Sequence, residues 1–278
     1  MVRRAFRIAY DGRGFHGFQR QPDVPTVSDA VLDACRALGV SEDGAVPDGY
    51  AAAGRTDAGV SAVAQTVAFD CPEWCVPRAL NAELPASVRA WASADASPTF
   101  HATHDATRRE YVYFLYAPPA RFDDGRAREA LAALSGEHDF HNLTTDDEGT
   151  VRRLSTSAAR DGDFFVVTVA ADGFTRHLVR RVVALVRAVG SGAAPPAKVD
   201  RVLEAEPLDG RGGVPSAPPE PLVLADVTYP GLDFTVDDDA AASARAAFGE
   251  RRVDGLVAAR VAGSLCNSIA MGSGPEDT

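Results

Sequence analysis

The chain has 278 residues, 46% hydrophobic and 24% charged, enough for one elongated or two fused α/β cores, with no apolar run near the roughly 18 residues of a membrane span. A net charge of −11 excludes a protein that grips nucleic acid through bulk positive charge, and Lys198 is the only lysine, so phosphate contacts must come from focused arginine clusters. Abundant Asp and Glu with almost no lysine reads as a protein of a saline cytoplasm, although compositional bias from a GC-rich genome gives the same pattern.

The opening MVRRAF runs straight into a strand-like stretch without a signal-peptide apolar core, so a cytoplasmic location is expected. Residues 4 to 10 (RAFRIAY) alternate as a strand, and Asp11 to Gly17 is a glycine-rich loop. Thr26, with Asp29 three residues on, opens a helix whose Val27, Val31, Ala34 and Leu38 fall at helical spacing. Strands follow at Tyr50 to Ala53 and Gln65 to Phe69, then a short helix at Pro77 to Asn81 and a strand at Val88 to Ser93. The order is βαββαβ.

A second run repeats that plan. Tyr111 to Tyr116 reads as a strand, Asp124 to Leu134 as a helix, and Val151 to Arg160 with Asp163 to Ala171 as strands paired around an Asp161-Gly162 turn. A long helix is predicted from Thr175 to about Val189, another at Ala197 to Glu204, then a Pro/Gly-rich loop (Gly210 to Pro221) and a strand Leu222 to Tyr229. The fold class is α+β: two similar βαββαβ-type halves, 1–97 and 98–230, with mixed or antiparallel sheets meeting at a central cleft, where sites commonly form. Residues 231–278 form an acidic, Ala-rich, peripheral tail with a helix at Ala240 to Ala262.

Four cysteines (Cys35, Cys71, Cys75, Cys266) are too scattered for a disulfide framework, and no Cys/His pair completes a zinc set around Cys71 and Cys75. His16, His101, His104 and His177 likewise lack metal spacing and read as solvated or RNA-contacting residues. Gly12-Arg13-Gly14-Phe15-His16-Gly17 matches the dinucleotide pattern G-x-G-x-x-G, but the following helix starts near Val27, too late to point its dipole at a pyrophosphate. The loop instead reads as a close approach to a polyanion, with Gln19, Arg20 and Gln21 presenting donors to phosphate or ribose.

In Gly54-Arg55-Thr56-Asp57-Ala58-Gly59-Val60 a carboxylate stands between glycines in a loop joining two strands. Residue types alone allow two readings: a structural turn, or an exposed reactive carboxylate with Arg55 keeping it ionised or engaging a phosphate. The predicted helix from Thr175 carries an apolar stripe (Leu178, Val182, Leu185, Val189) opposite Arg176, Arg180 and Arg187. Such an arginine face is ordinarily a solvated one.

GRTDAGV resembles the signature loop of the tRNA pseudouridine synthase A family. Further similar stretches occur in family order: AYDGRGFHGFQRQ at 9–21, NAELP at 81–85, TFHATHDATRREYVYFLY at 99–116, FTRHLVRRVV at 174–183 and LVLADVTYP at 222–230. The resemblance implies that Asp57 is the nucleophile, that Tyr111 stacks on the target uracil, and that Arg180 pairs with Asp57, Arg176 being the alternative partner. It further implies uridines of the anticodon stem-loop (tRNA positions 38 to 40) as substrate, a homodimer that clasps the tRNA, and no metal or organic cofactor. Two positions depart from the family pattern, Ser61 standing for a histidine and Thr103 for an arginine that Arg108 or Arg109 could replace. A catalytically silent tRNA-binding protein or RNA chaperone would keep the arginines without needing Asp57, and a nucleotide-dependent enzyme would use the glycine-rich loop instead.

Overall fold

A computed structural model describes residues 1–42, 45–208 and 213–272. The first half folds as β1 (Val2–Tyr10), α1 (Val27–Ala37), β2 (Ala51–Ala52), β3 (Ser61–Cys71), α2 (Pro77–Glu83) and β4 (Val88–Asp95). The second contains β5 (Arg108–Tyr116), α3 (Asp124–Ala133), β6 (Gly136–Asp139), β7 (Val151–Asp161), β8 (Phe164–Ala171), α4 (Leu178–Gly190), α5 (Ala197–Leu203) and β9 (Leu222–Thr228). A short β10 (Thr235–Val236) and a 35-residue helix α6 (Asp238–Gly272) complete the described chain.

The halves do not form two separate sheets. All ten strands join one sheet in the order β10-β4-β1-β3-β9-β5-β8-β7-β6, with β2 added on β3. The seam is the parallel pair β3–β9, matching Ser61 to Val223 and Ala62 to Leu224. A strand from late in the second half thus closes onto the strand that begins directly after the Asp57 loop, which places that loop at the junction of the halves. One core gathers around Phe6, Ile8, Phe69 and Leu80, and the other around Phe140, Phe165, Leu178 and Leu185.

Local chemistry explains several element boundaries. Thr26 caps α1 by accepting from the Asp29 amide, and Gly39 takes φ +69° beyond its C-terminus. In β1, Arg4 and Arg7, which strand alternation puts on opposite faces, are both buried. Their cost is offset by full pairing: Arg4 donates to the carbonyls of Glu73 and Cys75 and to Asp95, and Arg7 donates to the carbonyls of Ala64 and Val227 and lies 4.2 Å over the Phe234 ring.

The start of α4 differs from expectation. It begins at Leu178 rather than Thr175, because His177 adopts φ 62°, ψ 3°, a left-handed conformation that breaks the helix one residue earlier. The predicted stripe nevertheless packs inward, with Leu178, Val182, Leu185 and Val189 all buried. The loop predicted at Gly210 to Pro221 lies outside the described residues up to 212. The tail helix is longer than expected; Ala240, Ala241 and Ala244 are buried, while side chains from Val253 to Ile269 are exposed.

Candidate active site

The residues 53–60 form a loop held from every side. Gln65, fully buried at the centre of β3, donates to the Gly54 carbonyl at 2.9 Å. The buried Tyr10 and Thr56 hydroxyls share a 2.7 Å hydrogen bond, and the Phe18 amide donates to the Thr56 carbonyl at 3.0 Å. Arg109 in β5 donates to the carbonyls of Ala53, Thr103 and Asp172, bridging both halves beneath the loop. Gly59 takes φ +82°, and the Val60 amide donates back to the Asp57 carbonyl at 3.1 Å, so Asp57 is the first residue of a tight turn whose corner is Ala58-Gly59.

The glycine-rich loop has a role other than the one expected. A β-carbon on Gly12 would lie 2.0 Å from the Val60 carbonyl oxygen, and one on Gly17 (φ +97°) 2.9 Å from the Thr56 oxygen. These glycines let the loop pack against the Asp57 turn itself. Arg13 and Arg251 of α6 both pair with Asp11 behind this contact, and Arg13 holds the Asp11 carboxyl down to about 2 despite its burial. Ser61, where the family has a histidine, accepts from the Gly12 amide at 3.0 Å and adds to the same packing.

Asp57 is one-third exposed and faces a cleft of about 1300 Å³ lined from both halves. Arg180, one turn into α4 and largely buried, donates from Nη1 to Asp57 Oδ2 at 3.0 Å and from Nε to the Ala217 carbonyl at 2.7 Å. Arg176 is turned away to Asp146 at 3.4 Å, so of the two arginines it is Arg180 that meets the carboxylate. Arg55 makes no ion pair with Asp57; it is exposed on the cleft wall and has no ion-pair partner among the described residues.

Tyr111 lines the cleft from β5, its ring 5.2 Å from that of Phe174 in an edge-on contact. Burial, then the nearby Asp57 charge, pushes its hydroxyl up to about 12, so the ring is a neutral aromatic surface at physiological pH. Tyr113, on the same strand face, is packing: it is buried and donates to the Pro218 carbonyl. Gln19 and Gln21 line the cleft, Gln21 donating to the His16 carbonyl, whereas Arg20 is engaged with Asp29 at 2.8 Å. Thr103 donates to the Ala52 carbonyl, and Arg109 is consumed by carbonyls, so it does not stand in for the missing arginine; Arg108 pairs with Glu110.

His177 is the residue the sequence reading placed elsewhere. Its Nε2 lies 3.6 Å from Asp57 Oδ2, and its left-handed backbone costs a non-glycine residue about 1–3 kcal/mol. No signal in the local sequence marks it, since TRHLVRR continues the helical pattern. Arg180 and His177 converge on one carboxylate oxygen, and Oδ1 has no hydrogen-bond or ion-pair partner among the described residues.

A second large cavity, about 1230 Å³ and more apolar, lies between the sheet and the start of α6, lined by Trp91, Phe114, Tyr116 and Phe248. It contains neither Asp57 nor Tyr111.

Residues 130–230 match a family model described as tRNA pseudouridine synthase. Over 262 residues the chain is 62% identical to the tRNA pseudouridine synthase A of Natronomonas pharaonis, covering 94% of this chain and 98% of that one. It is 56% identical to the protein of the same name from Haloarcula marismortui (96% and 100% covered) and 37% identical to that from Methanocella arvoryzae (85% and 88% covered). The matches extend over both halves and the cleft between them, and the chain belongs to the tRNA pseudouridine synthase A family, whose members are isomerases.

Proposed function

We propose that this enzyme converts uridine to pseudouridine in the anticodon stem-loop of tRNA, at positions 38 to 40, with Asp57 as nucleophile. The observation that carries this is a carboxylate at the start of a tight turn at the seam of two halves, one oxygen held by Arg180 at 3.0 Å and the other without a hydrogen-bond partner among the described residues, in the wall of the cleft. A site built only to bind RNA gains nothing from an anion aimed at a polyanion, which disfavours a silent tRNA-binding module.

In this reading the target uridine is flipped from the stack and held against Tyr111, a sequence-tolerant aromatic platform. Arg55, exposed and unpaired among the described residues, meets a flanking phosphate, with Gln19, Gln21 and Arg176 around it. Asp57 attacks uracil C6 or ribose C1′, or acts as a base towards a glycal; in each case Arg180 orients the carboxylate. The broken N1–C1′ bond and the new C5–C1′ bond lie within one nucleotide, so the reaction needs neither redox chemistry nor a group donor. The halves 1–97 and 98–230 form the two walls of the clasp, in a cytoplasmic homodimer. Purified protein without NAD, ATP or metal is expected to release tritium from C5-labelled uridine in tRNA; tRNA binding without release would favour the silent module.

Salt gives a further expectation. The −11 charge on a chain with one lysine, and its relatives in halophilic archaea, imply self-repulsion that salt screens, so thermal stability should rise from low to molar potassium chloride. A midpoint that falls steadily over that range would remove the halophilic interpretation. Affinity for tRNA moves oppositely, since arginine–phosphate contacts weaken as salt rises.

A further inference from the structure

We propose that His177 is the base that removes the C5 proton in the last step of the reaction, an inference that rests on the reading of Asp57 as nucleophile. His177 and Asp23 are the two non-glycine residues with positive φ among the described residues, and only His177 faces the cleft. Its strained turn is held from outside the helix. The Arg176 amide donates to Asp146 Oδ2 at 2.9 Å and Thr144 Oγ1 donates to the Arg176 carbonyl at 3.1 Å, while within α4 the Arg181 amide donates to the His177 carbonyl at 3.0 Å. Strain kept by such anchors at a cleft marks an orientation the fold maintains. Here it brings Nε2 to 3.6 Å from Asp57 Oδ2, with the ring 37% exposed to the cleft and no other side-chain partner among the described residues.

The groups around the ring narrow the choice of base. Asp57 and Arg55 come from the loop, Arg180 from α4, Tyr111 from β5, and Arg176 with Asp146 from the cleft mouth. Arg180 and Arg55 have no lone pair to offer, and the neutral Tyr111 phenol is a poor acceptor. Asp57 Oδ2 accepts from Arg180 while its Oδ1 is the atom assigned to attack the nucleotide, and Asp146 is engaged by Arg176. The His177 imidazole remains. Once C5 has bonded to C1′ and N1 has left, C5 carries a hydrogen and N1 is doubly bonded to C6. Nε2 takes that proton, the C5–H pair becomes the C5=C6 double bond, the N1=C6 π pair moves to N1, and N1 takes a proton from solvent or from the imidazolium.

His177→Gly tests this, because glycine relaxes the left-handed backbone and folding is preserved. The variant should bind tRNA within twofold of wild type, while turnover falls by on the order of 10²-fold. With C5-deuterated uridine in the tRNA, the isotope effect on pseudouridine formation should rise above the wild-type value, and added imidazole should restore part of the rate. Turnover within twofold of wild type from pH 5 to 9 would overturn the proposal, as would a loss with an unchanged isotope effect and no imidazole rescue. Asp57→Asn in parallel separates the two readings: full activity there counts against the nucleophile, whereas a normal His177→Gly counts against the base.

Discussion

Asp57→Asn is expected to lose turnover by on the order of 10⁴-fold or more while tRNA affinity stays near wild type or tightens slightly. Asparagine keeps the shape of aspartate, and its amide oxygen can still accept from Arg180, so the 53–60 turn survives with its other anchors: the Gln65 bond to Gly54, the Tyr10–Thr56 pair and the Arg109 bonds to Ala53. What disappears is the nucleophilic charge itself. The slight gain in affinity follows from removing an anion from a cleft that receives phosphates, leaving Arg180 less neutralised. Single-turnover tritium release, with filter binding of the same tRNA, separates the two quantities; a variant that isomerises at the wild-type rate is incompatible with Asp57 as nucleophile.

Gly12→Ala should cost nearly as much through geometry alone. The added carbon would sit 2.0 Å from the Val60 carbonyl oxygen, 2.4 Å from its carbon and 2.9 Å from the Gly59 carbonyl carbon. All three are backbone atoms of the Asp57 turn, so no rotamer relieves the clash and the two loops must separate by an ångström or more. A displacement of that size costs about 10²-fold in rate when reacting groups must align. Overpacking of a rigid contact adds a loss of roughly 1–3 kcal/mol in stability. Tritium release and thermal unfolding on the same preparation check both, and a variant wild-type in each would mean that the glycine-rich loop does not position the turn. The neighbouring Gly14→Ala is the control, since nothing lies within 4 Å of its added carbon.

Both variants show which parts of the site are local and which are not. The α1 cap was readable from Thr26 and Asp29 because donor and acceptor lie three residues apart. The apolar stripe of α4 was readable because burial follows helical period. The choice between Arg180 and Arg176 was open in the sequence because the pairing spans 123 residues and depends on where α4 begins. That start is set by His177, whose left-handed turn is imposed by Asp146 and Thr144 from another segment, so a helical pattern could not disclose it. Gly12 followed the same rule: G-x-G-x-x-G pointed to a ligand, whereas its neighbour is the chain's own Val60. The single sheet was hidden for a related reason, since the two-residue parallel seam between β3 and β9 has no pattern of its own.

The central claim is that this cleft isomerises uridine in the anticodon stem-loop by means of Asp57. Mass-spectrometric mapping of an unmodified tRNA, incubated without cofactor with wild-type protein or with Asp57→Asn, tests it most directly. Pseudouridine is expected at one or more of positions 38 to 40 with the wild-type chain and at none with the variant; pseudouridine confined to other positions, or formed equally by both proteins, would rule out this role of the cleft and of Asp57.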